Sequence, residues 1–263
     1  MSGERTNLIR EDLCGKVVLV TGGGSGIGAA AAEAFGRHGA SVGIHYHSSN
    51  KQSISELVTR IRLAGGKAFT VQADFNSSSA VTNTIEQVSN HFGRLDILLN
   101  NAGSMIDRRR LEETDDEFIN QVFDLNARSI VTACRAIEPL FTNQGGGCII
   151  NISSISARTG GSPGSSVYSA CKAFVSTLTR SLARELADRK IRVNAISPGT
   201  IDTAFHERFS SVTKLEKTRK DIPLQRLGQA DDCTGAALYL ACERLSGYVT
   251  GQVIEVNGGQ LMA

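Results

Sequence analysis

Val17-Val18-Leu19-Val20-Thr21-Gly22-Gly23-Gly24-Ser25-Gly26-Ile27-Gly28-Ala29-Ala30-Ala31-Ala32 is a β-branched run, a glycine-rich turn and an alanine-rich helical pattern in immediate succession. A strand that feeds a helix through such a turn makes a cradle for pyrophosphate: backbone N–H groups point inward, and the helix dipole favours the negative charge. Gly22 permits the tight turn, Gly26 lets the backbone approach the phosphates, and Gly28 lets helix and sheet pack closely. The glycine spacing differs from the usual G-x-G-x-x-G of dinucleotide sites, and taken alone the stretch also suits a tight βα turn without a ligand.

Outward from this stretch the same alternation continues. Strands are predicted over 16–20, 41–46, 67–72, 95–99, 148–152, 191–196 and 252–256. Between them apolar residues recur at helical spacing, as in Ile54, Leu57, Val58 and Ile61, or Val81, Ile85, Val88 and Phe92. Gly39, Gly65-Gly66 and Gly93 stand where the first three helices should stop. Strand and helix in repeated alternation call for an α/β fold, a doubly wound parallel sheet of about seven strands with helices on both faces. No linker or composition break divides the chain, so residues 13–263 read as one domain behind a loose arm over 1–12. Two excursions, 153–166 and 200–226, follow strands at the carboxyl edge of the sheet, where ligands bind in such folds.

Composition narrows the function. The chain has 263 residues, 28 Lys plus Arg against 26 Asp plus Glu, and a net charge of +2, which removes the footprint of a nucleic-acid binder. Six cysteines occur without a C-x-x-C pair or a suitably spaced His, so neither a metal site nor a disulfide scaffold is expected. The polar first dozen residues carry no signal-peptide core, no apolar stretch approaches membrane-spanning length, and Leu261-Met262-Ala263 is no targeting tripeptide. A cytoplasmic protein is the expectation. Glycine is in surplus, 27 residues where roughly 7 % is usual.

Further motifs occur in a telling order: Asn100-Asn101-Ala102-Gly103 after the fourth strand, Asn151-Ile152-Ser153-Ser154 closing the fifth, Tyr168-Ser169-Ala170-Cys171-Lys172, Pro198-Gly199 after the sixth, and Tyr248-Val249-Thr250-Gly251-Gln252 to Asn257-Gly258-Gly259 around the seventh. With Thr21 to Gly28 as T-G-x-x-x-G-x-G, this set resembles the short-chain dehydrogenase/reductase family over nearly the whole chain. The resemblance implies a Rossmann-type domain that binds NAD(H) or NADP(H) and moves a hydride. It assigns Gly22, Ser25, Gly26, Ile27 and Gly28 to the phosphates, and Asn101, Ala102 and Gly103 to the adenosine ribose and sheet edge. Pro198, Gly199, Ile201 and Thr203 fall to the nicotinamide end. Asp74 looks like the family's acid near the adenine amino group, with Phe75 beside the ring; a cap for the helix starting near Ser77 is the equal alternative. Tyr46 stands where NAD-preferring members place Asp, an acid that would bond the ribose 2′-OH and repel a 2′-phosphate. With Tyr46 in that place and His47, Ser48, Ser49 and Lys51 as donors for a phosphate, NADP(H) is favoured, although Ser25 replaces an Arg of many NADP-preferring relatives.

Reducing a carbonyl needs a proton on oxygen and a group to hold that oxygen as charge develops. Tyr168 and Lys172, four apart on a predicted helix, share a face. A phenol titrates near pH 10, and a neighbouring ammonium with the oxidised nicotinamide favours phenolate. Tyr168 is thus the candidate acid and base, Lys172 its modulator and a ribose ligand. Ser154 would bond the substrate oxygen, and Asn126 matches the family position where a helix distortion holds a proton-relay water. The substrate, a small carbonyl or alcohol or an acyl thioester, would meet Ser156, Phe205 and Phe209. Arg108-Arg109-Arg110 and Lys214, Lys217, Arg219 and Lys220 read as solvated charge or as attraction for an acidic ligand. Carrier-protein recognition is half matched: Arg189 fits one basic position of 3-oxoacyl-carrier-protein reductases, and Gly145 occupies the other. The family implies a homotetramer. Rivals are an NAD(H)-dependent secondary-alcohol dehydrogenase, a non-catalytic NADP(H)-sensing regulator, against which the intact Asn-Ser-Tyr-Lys set argues, and a methyltransferase, which would lack Y-x-x-x-K.

Overall fold

A computed structural model describes residues 2–262, with side chains from Leu8 onward. Met1 of the expected arm and Ala263 of the carboxyl tripeptide lie outside these residues. The strands β1 (Val17–Val20), β2 (Ser41–Tyr46), β3 (Lys67–Gln72), β4 (Ile97–Asn100), β5 (Gly147–Ile152), β6 (Ile191–Pro198) and β7 (Val253–Val256) match the predicted runs to within two residues. All pair in parallel, in the order β3-β2-β1-β4-β5-β6-β7.

Burial on both faces explains the apolar runs, since alternate side chains of one strand serve different layers. Val18 and Val20 of β1 join Ala31 and Phe35 of α2 (Gly26–Arg37), Leu57 and Ile61 of α3 (Lys51–Leu63), and Leu240 of α11 (Thr234–Ala241). Val17 and Leu19 face the other way, onto Ile85 of α4 (Ser78–Phe92), Ile137 and Phe141 of α6 (Ser129–Asn143), and Val175 of α8 (Ser166–Glu185). The order in which the chain adds strands reverses at β1, with β2 on one side and β4 on the other, so the connections that leave the carboxyl ends of β1 and β4 part and open a crevice.

The segment expected as a loose arm is helical, α1 (Ser2–Leu13). Leu13 is buried and Ile9, one turn earlier, packs against the same core cluster. Glu11 pairs with Arg244, and Asp12 accepts the Glu243 N–H at the start of α12 (Glu243–Ser246). A two-residue apolar stripe among acids is too thin to read as a helix, and tertiary contact supplies the remainder. The excursion 153–166 holds the short α7 (Ser156–Thr159), and 200–226 holds α9 (Ala204–Phe209) and α10 (Val212–Asp221). Between β4 and α6, α5 (Asp116–Phe123) runs into a five-residue π-helical turn, Asp124–Arg128.

Candidate active site

The crevice opens into a cleft of about 650 Å³ that runs from the β2 end, past the glycine turn, to α8, α9 and α10. Its phosphate end is built to accept an anion. Gly22, Ser25, Gly26 and Ile27 line it where α2 begins. Ser25 sits at the N-cap but its side chain makes no cap bond, and the first turn of α2 carries no acid. Gly28 lies behind the lining. A Cβ there would run into the Gly22 carbonyl and the Asn101 amide, so the residue serves packing of the turn.

Side chains hold this turn in place. Thr21 Oγ1 accepts the N–H groups of Asn101 and Ala102 at 2.9 Å, while Asn101 Nδ2 donates to the carbonyls of Thr21 and Gly22 at 3.0 Å. Asn101 thus clamps the glycine turn as well as lining the cleft beside Ala102 and Gly103. Thr21 carries no site signal beyond its place in the glycine motif. His45 is a further such support. The Gly22 N–H donates to its Nδ1 at 3.1 Å and its Nε2 lies 3.1 Å from the Ala73 carbonyl, which assigns a neutral, Nε2-protonated ring. Burial holds its pKa down to about 4. The sequence assigned His45 no role, and only the structure brings it to the turn.

At the β2 end, Tyr46, His47, Ser48 and Ser49 line the cleft. Asp74 and Phe75 do too, with attachments of their own. Asp74 Oδ1 accepts from the Asn76 N–H and amide, bonds that hold its carboxyl below the usual range. Ser77 itself caps α4, so the alternative in which Asp74 caps that helix is corrected to an Asp74–Asn76 turn. Phe75 stacks face to face on His45, centroids 3.6 Å apart. At the opposite end Pro198, Gly199, Ile201 and Thr203 line the wall, and Thr203 lies over Gly26. Gln260 joins them by accepting the Thr200 N–H at 3.0 Å, a contribution from the last residues that sequence reading missed.

Ser154, Tyr168 and Lys172 converge between these ends. Lys172 is buried, donates from Nζ to the Ile152 carbonyl at 2.8 Å, and stands 5.6 Å from the Tyr168 ring centroid. Burial lowers its ammonium to about 8. Burial raises the Tyr168 phenol above its ordinary value, and the Ser154 hydroxyl opposes that rise. The chain alone therefore keeps Tyr168 protonated, and any push toward phenolate has to come from charge added to the cleft. Asn126 lies behind the lining, where the resemblance implied a helix distortion and the structure has a π-helical turn. Its Nδ2 donates to the carbonyls of Ser104 and Val122, both at 2.8 Å, and its Oδ1 accepts the Ser104 N–H at 3.1 Å.

Ser156 lines the cleft with its hydroxyl buried and unpartnered among the described residues. Phe205 forms a wall, its ring centroid 5.7 Å from that of Tyr168. Phe209, expected beside it, is buried behind Phe205 at 5.0 Å and does not reach the cleft. Arg189 is engaged by Glu138 at 2.8 Å.

An uncapped helix start behind a glycine turn, joined to a Tyr-Lys-Ser-Asn centre, defines a dinucleotide-dependent oxidoreductase. Residues 22–260 match the family model described as enoyl-(acyl carrier protein) reductase. The 3-oxoacyl-[acyl-carrier-protein] reductase FabG of Staphylococcus aureus (strain Mu50 / ATCC 700699) is 37% identical over 247 residues, 94% of this chain and 98% of that protein. The crystal structure of NADH-dependent reductase A1-R′, responsible for alginate metabolism, superposes with a TM-score of 0.88 at 33% identity, covering 96% of this chain and 99% of that one. NADPH-dependent 3-quinuclidinone reductase from Rhodotorula rubra gives 0.88 at 33%, covering 97% and 95%. The chain belongs to the short-chain dehydrogenase/reductase family, and it is a nicotinamide-dinucleotide-dependent oxidoreductase. Among the described residues no helix is long and apolar enough to cross a membrane.

Proposed function

We propose that the protein interconverts a carbonyl compound and its secondary alcohol, with NADP(H) as the preferred dinucleotide. The observation that carries this reading is the convergence of Ser154, Tyr168 and Lys172 midway along a cleft whose far wall is the glycine turn. Bound there, the dinucleotide supplies the hydride for reduction and takes it up in oxidation. Tyr168 gives its hydroxyl proton to the substrate oxygen, and Ser154 donates a hydrogen bond to that oxygen as charge develops. Lys172 holds a positive charge beside the phenol, and its remaining N–H groups would bond the ribose of the dinucleotide. Both Asn126 amide hydrogens are spent on the protein, so the free lone pair of Oδ1 is what it offers a relay water.

Preference for the 2′-phosphate rests on the β2 end, where hydroxyls of Ser48 and Ser49 and the His47 ring line the cleft and no carboxylate follows Ile44 on that strand. With a panel of ketones, β-keto esters, quinones and 3-oxoacyl thioesters, kcat/KM should be about tenfold higher with NADPH than with NADH; an NADH preference, as in reductase A1-R′, would overturn it. Cytoplasmic location and a homotetramer complete the reading, from composition and family likeness respectively.

A pH dependence follows from Lys172. Its ammonium loses the proton as pH rises through about 8, whereas Tyr168 stays protonated there. For reduction, kcat/KM for the dinucleotide, which reports the unliganded chain, should be level below that pH and decline above it. A profile that climbs from neutral pH to pH 9, or stays flat, would contradict a charged Lys172.

A further inference from the structure

Past the Phe205 wall, the floor of the cleft gathers two cations that family likeness does not assign. Arg108, from the loop after β4, and Lys214, on α10, both line the cleft and both reach Ser162. Arg108 Nη1 donates to Ser162 Oγ at 3.0 Å and Lys214 Nζ donates to the same oxygen at 2.6 Å. Two positive side chains meeting on one neutral hydroxyl is a costly arrangement unless an anion joins them. Among the described residues, no carboxylate oxygen lies within 4.0 Å of a side-chain nitrogen of either, although Asp107 Oδ1 accepts the Arg108 backbone N–H at 2.8 Å. Their neighbours in sequence behave differently: Arg109 pairs with Asp115, Arg219 with Glu216, and Lys217 and Lys220 stand in solvent.

The donor accounting is specific. Arg108 spends Nε on the Phe209 carbonyl at 2.6 Å and Nη1 on Ser162 and the Pro163 carbonyl, which leaves Nη2. Lys214 has spent one of three N–H bonds. Ser162 Oγ, already an acceptor twice, has its own hydrogen to give. Burial and Arg108 depress the Lys214 ammonium; burial first, and then both cations, bring the half-buried His206 down to about 4 against the opposing pull of Asp202. Ser162 is also tied to the start of the helix that carries Tyr168, since its N–H donates to Ser165 Oγ at 3.0 Å and its carbonyl accepts from that hydroxyl at 2.6 Å.

We propose that Arg108 Nη2, Lys214 Nζ and the Ser162 hydroxyl form a receptor for an anionic oxygen group, carboxylate or phosphate, at the end of the substrate remote from the carbonyl presented to Tyr168. The inference rests on the carbonyl-reducing function proposed above and narrows its substrates to anionic carbonyl compounds, with the Phe205 ring along the apolar portion between the two ends.

The test uses matched pairs: levulinate and its longer oxo-acid homologues against their methyl esters, and dihydroxyacetone phosphate against dihydroxyacetone. Wild type should favour the anion of at least one pair about tenfold in kcat/KM, through KM, and the pair that shows it identifies the anion. Lys214→Met should lower that ratio about tenfold, whereas Lys217→Met, on the solvent side of α10, should leave it unchanged. Equal use of charged and neutral partners by wild type, or equal ratios in the two variants, would overturn the receptor. Thermal unfolding separates this from the broader reading. A rise in Tm with levulinate or dihydroxyacetone phosphate that Lys214→Met abolishes supports the receptor even if no ketone is turned over, a result that would overturn the proposed carbonyl reduction alone.

Discussion

Tyr168→Phe should lower kcat for carbonyl reduction by about three orders of magnitude while changing dinucleotide affinity less than about threefold. The substitution removes one oxygen and leaves the ring, so the contacts of that ring with Phe205 at 5.7 Å and with the Lys172 ammonium at 5.6 Å persist. What disappears is the protonated hydroxyl that burial maintains beside Ser154. Steady-state rates together with a fluorescence titration of NADPH separate the two effects. Turnover above about a tenth of wild type would move the proton donor elsewhere.

Gly28→Ala should weaken dinucleotide binding by about ten- to a hundredfold, the equivalent of roughly 1–3 kcal/mol of overpacking, and should lower Tm as well. The new methyl meets the Gly22 carbonyl and the Asn101 amide, the two groups that bond each other to clamp the turn. The carbonyl is backbone and the amide is held by its bonds to the Thr21 and Gly22 carbonyls, so the turn itself has to shift. At Gly26 a methyl would touch only the Thr203 side chain at 3.4 Å, but there φ is +53°, and the backbone objects instead. Titration of both variants, with circular dichroism to verify folding, distinguishes the causes. Unchanged affinity in Gly28→Ala would remove the clamp from the binding account.

Backbone requirements were the part of this molecule most openly written in its residues. A turn such as Gly22–Gly28 needs glycine wherever chain approaches chain, and strands buried on both faces need unbroken β-branched runs; both signals are local. The π-helical turn at Asn126 became legible only through family likeness, because nothing in Asp124-Leu125-Asn126-Ala127 itself announces an extra residue per turn. Side chains that meet across loops were hidden for a different reason. Arg108, Ser162 and Lys214 come from the loop after β4 and from the two excursions, and only their assembly distinguishes Lys214 from the solvated Lys217 three positions on. Phe75 was placed beside a cofactor ring on likeness, yet the structure gives one of its faces to His45. Helix α1 escaped notice because Ile9 and Leu13 acquire their meaning from a cluster that the rest of the chain builds.

The position of β1 between β2 and β4 bears on how the chain folds. Its pairing with β2 joins Val17 to Ser41 across one short connection, whereas the Thr21 hydroxyl waits for N–H groups 80 and 81 residues further along. Closing the longer loop costs more chain entropy and lends the topology slow, non-local character. The three-stranded half β1–β3 can therefore assemble while the glycine turn still lacks its Asn101 clamp, and the crevice exists only once β4 has docked. A ligand of that crevice recognises the finished junction, so it should act on the lifetime of the native state, slowing unfolding and leaving the folding rate almost untouched.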